Sequence, residues 1–400
     1  MLAPAGARSG AVLLAVALAV GACSSDGSAP VPSGATSPPA ATSAVTSTAP
    51  SADSAVTVTG VPEDLTAVLT DLYTGAQVPA SATAAEALAD RAPADDEVRA
   101  EGATGTWRQE RVAVVVAGPS DRQDVTLAVD GGDGWRVVGG WWPSLGVPEP
   151  SVGPVPRLLA VVGSDARPGQ DPARARADSL HVVGVDGTGA GGVLGIPRDT
   201  WVPLTTGGEG KINSELARGG PDAQLQALES FTGLDLEGQV VTGFEGFVAV
   251  IDALGGVELT LDRALVDRFA KLDLPAGELL LDGEDALAYA RTRMTQPRGD
   301  IDRQLNGGTV LLAAGAAVQS AGPLAVPRLI EAADPHLVTD LTAEQVLTLA
   351  GAVLTADPAR VPNTVVPSRP GTTAAGTSIV VPEPEARGVL ADLADGALTP

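Results

Sequence analysis

The chain has 400 residues, 44% of them apolar, and its 25 Lys and Arg against 49 Asp and Glu give a formal net charge of −24. That length accommodates two or three compact units with buried cores and needs no membrane bundle. The summed field repels polyanions, which excludes a general affinity for nucleic acid or an anionic lipid surface. Any phosphate site must be a local gathering of basic groups.

Residues 1–22 read as a secretory signal: Arg8, an apolar run over 11–20 and the small-residue exit Gly21-Ala22. The run is too short to span a bilayer stably. Cys23 is the only cysteine, so neither an intrachain disulfide nor a thiolate metal cluster can form. Its place directly after Val20-Gly21-Ala22 resembles a bacterial lipobox. That resemblance implies lipid attachment at Cys23 and a position at the outer face of the bacterial cell membrane, with about 0.8 kcal/mol of affinity per buried methylene. Residues 23–57 are almost entirely Ser, Thr, Ala, Pro and Gly. They bury too little apolar surface to offset ordering entropy and read as a disordered tether.

A small α+β accessory domain is expected over 58–148. Apolar residues at helical spacing over 65–73 predict a helix, and the runs 111–117, 125–129 and 135–142 predict strands, with a glycine turn over 131–134. Trp135, Trp141 and Trp142 either fill the core of this unit or form a patch for sugars.

Prolines at 148, 150, 154 and 156 mark a linker. The catalytic core is expected over 156–320. Strands are predicted over 158–162, 180–185 and 192–196. Helices are predicted from Pro221 and over 244–254, the latter stopped by Gly255-Gly256, followed by a strand over 257–261 and a helix over 282–290. This alternation predicts an α/β fold, a three-layer α/β/α sandwich. Residues 321–400, with a helix over 343–354, are expected to be an extension packing on that core.

The first core strand runs into Gly163-Ser164-Asp165-Ala166-Arg167, the second opens at Arg176-Ala177-Asp178, and the third ends at Ile196-Pro197-Arg198-Asp199. Strand exits are where open α/β sheets build their sites, so these groups converge if the strands are neighbours. Asp165 and Asp178 are hard oxygen donors, and a metal bound there would be Mg2+ or Mn2+. Farther on, Arg291 and Arg293 present two planar forks suited to phosphate oxygens, and Arg303 follows within the next helix. The apolar faces of the helical stretches 244–254 and 310–318 either pack against each other or leave a slot against the sheet.

Taken together, Gly163-Ser-Asp-Ala-Arg167, Ala177-Asp-Ser179, Ile196-Pro-Arg-Asp199, Lys211-Ile-Asn213, Asp252-Ala-Leu-Gly-Gly-Val257, Tyr289-Ala-Arg-Thr-Arg293 and Gly299-Asp300 to Arg303 closely resemble the LytR-CpsA-Psr catalytic domain, over about residues 156–319. The resemblance implies transfer of an anionic glycopolymer from a polyprenyl pyrophosphate carrier to a peptidoglycan hydroxyl, with a divalent metal. It makes Asp165 and Asp178 the metal ligands. Arg176, Arg198, Arg291, Arg293 and Arg303, with Lys211 as an addition, form the pyrophosphate clamp. Asp199 is a base or orients Arg198. The prenyl tail that the resemblance implies would take a slot between the sheet and the stretches 244–254 and 310–318. The partners implied are the carrier-linked glycopolymer, peptidoglycan and, through Cys23, the membrane. Two other readings of the same residues are a non-catalytic lipoprotein that binds wall polymer or lipid pyrophosphate, and a pyrophosphatase acting on the carrier.

One departure stands out. The family usually carries glutamine four residues after the position of Arg303, where this chain has Gly307 preceded by Asn306. Gly307 and Gly308 each cost about 1 kcal/mol in a helix interior relative to Ala. His181 and His336 are expected to be structural.

Overall fold

The structure, a computed structural model, describes residues 56–293 and 297–399. The signal segment, Cys23 and the tether as far as residue 55 lie outside the described residues.

The first unit is a six-stranded sheet whose spatial order follows the chain: β1 (Val56–Thr59), β2 (Val98–Trp107), β3 (Glu110–Ala117), β4 (Asp124–Asp130), β5 (Trp135–Trp142) and β6 (Val147–Ser151). It starts two residues before the predicted boundary at 58, so Val56 and Thr57 belong to a strand, and it ends at Ser151 instead of 148. Strand β3 shows why its sequence is apolar throughout. Val112, Val114 and Val116 enter one core cluster while Ala113, Val115 and Ala117 enter another, because alternate residues face opposite sides of a sheet that is covered on both. Helix α1 (Glu63–Thr74) lays Leu65, Leu69 and Leu72 on the outer face, beside the short α2 (Ala82–Ala87). Trp135 and Trp142 are buried in that outer cluster, their indole N–H groups donating to Asp64 Oδ1 and Thr126 Oγ1. Trp141 is half-buried against the inner cluster. The tryptophans therefore pack the core.

The second sheet is built from β7 (Arg157–Ser164), β8 (Ala177–Val185), β9 (Gly191–Gly195), β12 (Gln239–Thr242), β17 (Val338–Thr339) and β18 (Asn363–Val365), in the order β17-β12-β7-β8-β9-β18. Between β9 and β12 lie the hairpin β10 (Trp201–Pro203)–β11 (Glu209–Lys211) and helix α3 (Ser214–Thr232). Helix α3 is broken at Gly220 (φ 80°), after which Pro221 opens its second half. Then follow α4 (Phe244–Ala253), the antiparallel pairs β13 (Val257–Leu261)–β16 (Gly277–Leu281) and β14 (Leu265–Asp267)–β15 (Leu272–Leu274), α5 (Gly283–Arg291), α6 (Asp300–Ala321), α7 (Val326–Ala333) and α8 (Ala343–Thr355). Strands β19 (Ser368–Thr372) and β20 (Ser378–Pro382) and helix α9 (Ala386–Asp392) close the chain.

On β7, Leu158, Ala160 and Val162 face a cluster with α3 and α9, whereas Leu159 and Val161 face the cluster shared with α6 and α8. Helices on both sides of the sheet make the α/β/α sandwich. The predicted strand 257–261 forms as β13, but it pairs with β16 outside the main sheet. Residues 321–400 are more than an extension: β17 and β18 supply both edges of the main sheet, and α8 packs between the two sheets, against β4 and β5 on one side. One apolar cluster therefore runs from β3 and β4 through α7 and α8 to β7 and β8.

Candidate active site

The three core strands predicted to deliver charged groups are neighbours, with β7 antiparallel to β8 and β8 antiparallel to β9. Register slips between Gly163 and Ser164, which pair with Ser179 and Ala177, so β8 bulges at Asp178. The loop after β9 is pinned by its backbone. Asn213 N–H donates to Arg198 O at 3.2 Å, and Ala177 N–H donates to Asn213 O at 3.1 Å. Arg198 and Asp178 are thereby fixed side by side.

A cluster of opposite charges results. Asp178 is ion-paired with Arg198 and lies 3.2 Å from Arg303 Nη1. Asp300, the first residue of α6, contacts Arg303 one turn on and lies 3.8 Å from Arg198 Nε. Asp199 is 3.9 Å from Arg198 Nε and 2.9 Å from Lys211 Nζ. Burial pushes the Asp300 carboxyl above its ordinary value even though Arg303 and Arg198 oppose the shift. For Arg198 burial disfavours the charge, but Asp178, Asp300 and Asp199 outweigh it and raise the pKa. Arg303 Nη2 is ion-paired with Asp300, whereas Arg198 Nε and Arg303 Nε are buried and make no hydrogen bond. Such groups each cost about 1–3 kcal/mol when left unmade.

Arg291 ends α5 with its guanidinium 4.3 Å from the Phe244 ring. Arg291 and Arg293 are exposed and form no ion pair among the described residues. Together with Asp178, Arg198 and Arg303 they line one cleft, whose remaining wall is Asp267, Phe269 and Ala270 of the β14–β15 hairpin. Of the predicted clamp, then, four arginines meet at one place and Lys211 is joined to its margin through Asp199. Arg176 does not line that cleft. It lies with Asp165, Gln170, Asp171 and Arg174 around a separate recess. The reason is local: Asp165 Oδ1 accepts the Arg176 backbone N–H at 2.9 Å and Asp165 N–H donates to Arg176 O at 2.8 Å, so the two close the β7–β8 connection on each other. Asp165 and Asp178 thus line different recesses, Asp165 with Arg176 and Asp178 with the other arginines.

For a metal, no group of three or more His, Cys, Asp or Glu side chains suited to a cation occurs among the described residues. Asp178 and Asp165 are carboxylates at the same end of neighbouring strands. Two such donors suit Mg2+ or Mn2+ if the other ligands are water and phosphate oxygens, the usual arrangement for Mg2+.

Behind the cleft lies a largely apolar cavity. It occupies the position expected between the sheet and the two helices, walled by Val161 and Val162, by Phe247, Val250 and Ile251 of α4, and by Val310, Leu311 and Ala314 of α6. Asp178, Arg291 and Arg303 line both cavity and cleft, so the two spaces adjoin at these side chains. Residues missed in the sequence also appear here. Ser179 and His181 on β8 line the cavity's polar end beside Gly307. Asp300 was legible as a motif residue but not as a partner of both arginines, which required knowing that α6 starts over the end of β8 and β9. The position of Phe269 had no sequence signal.

With this geometry in hand, comparison with known proteins is decisive. The sequence profile of the LytR_cpsA_psr family matches residues 155–394. The chain belongs to this family. The LytR-CpsA-Psr domain thus includes β17, β18, α8 and α9, in keeping with the place of the two strands in the main sheet and of the helices against it. Among relatives, the polyisoprenyl-teichoic acid–peptidoglycan teichoic acid transferase TagV of Bacillus subtilis (strain 168) is 33% identical over 186 residues, 44% of this chain and 48% of that protein. The probable cell wall biosynthesis protein LcpB of Corynebacterium glutamicum is 37% identical over 155 residues, 36% of this chain and 37% of that protein. The chain thus spans about half the length, or less, of these curated relatives. The crystal structure of B. subtilis TagV superposes with a TM-score of 0.52 at 27% identity, covering 61% of this chain and 98% of TagV.

Proposed function

We propose that this protein transfers an anionic glycopolymer from a polyprenyl pyrophosphate carrier to a sugar hydroxyl of peptidoglycan, and that it does so at the outer face of the bacterial cell membrane, held there by lipid on Cys23. One observation carries the reading: an apolar cavity opens at one end onto Asp178, Arg291 and Arg303, which also line a cleft with Arg198 and Arg293. That pairing of surfaces matches a ligand with a prenyl tail and a diphosphate head. The names of the relatives, teichoic acid transferases among them, support the same class of donor and acceptor.

In this reaction the acceptor oxygen forms a bond to the phosphorus that carries the glycopolymer. The bond from that phosphorus to polyprenyl phosphate breaks, and the acceptor hydroxyl loses its proton. Phosphoryl transfer needs oxygens neutralised and the attacking and leaving oxygens aligned, more than covalent help from the protein. Arg198 and Arg303, each paired with a carboxylate, line the cleft, and Arg291 and Arg293 add two exposed forks. Asp199, held by Lys211, orients Arg198. Asp178 and Asp165 would hold Mg2+ or Mn2+, which supplies further neutralisation of the diphosphate oxygens. Apolar residues of α4 and α6 exclude water around the tail.

The test is reconstitution. Purified protein, a short glycan on a lipid pyrophosphate and peptidoglycan oligomers in Mg2+ are expected to yield a phosphodiester-linked product. Release of free glycan phosphate in the presence of acceptor would instead establish a pyrophosphatase, and tight lipid-pyrophosphate binding without turnover a binding protein.

A further inference from the structure

Helix α6 carries Arg303 to its ion pair with Asp178 of β8, and what sets the distance between that helix and that strand is a single buried imidazole. His181 is 1% exposed. Its Nε2 lies 2.9 Å from the backbone oxygen of Gln304, the residue after Arg303, and its Nδ1 lies 3.2 Å from Ser179 Oγ. A carbonyl oxygen can only accept, so Nε2 carries the proton and donates. Nδ1 is therefore an acceptor, and the Ser179 hydroxyl donates to it. The Gln304 side chain adds a second stitch, its Oε1 accepting the Leu180 N–H at 3.4 Å.

Gly307 makes the arrangement possible. A Cβ there would lie 2.8 Å from His181 Cε1 and 3.3 Å from Ser179 Oγ, closer than packed atoms approach. The imidazole thus occupies the space that a side chain at 307 would need. His181, Ser179, Gly307 and Arg303 all line the head-group end of the cavity, yet the only polar hydrogens of His181 and Ser179 are already given, to Gln304 O and to Nδ1. Neither can donate to a phosphate oxygen.

We propose that His181 is a positioning residue for the diphosphate: seated against Gly307 and hydrogen-bonded to Gln304, it holds Arg303 in register with Asp178, and it acts on the ligand only through that arginine. This rests on the reading of the cleft and cavity as a polyprenyl diphosphate site. The occupancy of the 307 position by a side chain from the facing strand also accounts for the glycine there.

The experiment measures binding of a short-chain polyprenyl diphosphate and of the matching polyprenol to the full chain and its variants. His181→Leu keeps volume and loses the donor, so its diphosphate affinity is expected to fall about tenfold, the worth of one well-placed hydrogen bond, with polyprenol affinity unchanged. His181→Gln restores a donor toward Gln304 O and is expected to stay within about twofold of wild type. Gly307→Ala, by displacing the ring, is expected to reproduce the His181→Leu loss, and it keeps the test open if the leucine variant fails to fold. Unchanged diphosphate affinity in His181→Leu and Gly307→Ala overturns the proposal, as does an equal loss for diphosphate and polyprenol, which would mark a structural role. Should the wild type not prefer the diphosphate to the polyprenol, the reading of the cleft itself falls and this inference with it.

Discussion

Two buried arginine clusters in this protein look alike in composition and differ in completion. Arg157, 2% exposed at the start of β7, meets Glu237 at 2.8 and 2.5 Å and donates to Val152 O, Thr348 Oγ1 and Gln345 O. Every partner is protein, and they come from the linker, the loop before β12 and α8, so the guanidinium ties the two sheets and their shared helix together. Arg198 and Arg303 also face carboxylates, but their Nε atoms make no hydrogen bond and both side chains line the cleft. A network closed on itself is a staple. One whose guanidinium groups line a cleft can take up the oxygens of a ligand, and the exposed Arg291 and Arg293 beside it extend the same surface.

The sharpest way to break that comparison is to truncate one arginine from each side and ask which property fails. Arg291→Ala is expected to lower the transfer rate about 100- to 1000-fold, the usual effect of deleting one donor to a developing charge, while leaving the melting temperature near wild type because Arg291 is exposed. Steady-state rates and a thermal melt on the same preparation check it. Arg157→Ala is expected to do the opposite, losing about 3 kcal/mol of unfolding free energy because Glu237 and several carbonyl acceptors are left behind. A denaturant titration reads it. If both variants lose stability and neither loses turnover selectively, the distinction between staple and site is wrong.

The sequence made the site visible where chemistry is local and hid it where geometry is not. Strand exits at Asp178 and Arg198 and the paired Arg291 and Arg293 could be read from apolar runs ending in charged residues, and the sheet does bring them together. Asp165 and Arg176 were readable as charges at strand ends but not as each other's backbone partners, because no periodicity reports the one-residue bulge beside them. The edges contributed by β17 and β18 were also out of reach: each is only two or three residues long, too short for an alternating pattern, and depends on partners more than 90 residues away in sequence. His181 read as a core residue. That was half the answer, since its second role follows from the absence of a side chain at Gly307 on another element.

Titration sharpens the comparison further. Burial in the core lowers the His181 pKa to about 4, the hydrogen bond to Gln304 O opposing and the charge of Arg303 adding to the effect. The unfolded chain takes up this proton below about pH 6.5 while the folded chain does not until about pH 4. Stability is therefore lost as pH falls through that window, by about 3 kcal/mol from this group alone. His181→Leu is expected to remove that part of the acid limb, so unfolding free energies of the two proteins measured at neutral pH and near pH 4 converge or cross by a similar amount. Parallel curves would show that the imidazole is protonated in the folded state, in which case it could not hold the single tautomer that ties it to both Ser179 and Gln304.

The smallest expected effect tests the unfinished cluster itself. Asp300 has its pKa raised by burial, with Arg303 and Arg198 only partly compensating, so the folded state holds a proton there more readily than the unfolded state does. The sign is opposite to that of a salt-bridged aspartate: between the ordinary carboxylate pKa and the raised one, increasing pH removes stability, and at neutral pH the charged Asp300 is a net burden on the fold. Asp300→Asn is accordingly expected to be slightly more stable than wild type at pH 7, with the gain vanishing toward the ordinary carboxylate pKa, as read from paired melts across pH. Its transfer rate is expected to fall, since Arg303 loses the anchor that aims it. A variant gaining stability while losing rate would identify strain kept for the ligand's sake. One that loses both would place Asp300 with Arg157 and Glu237, among the residues whose partners are already complete.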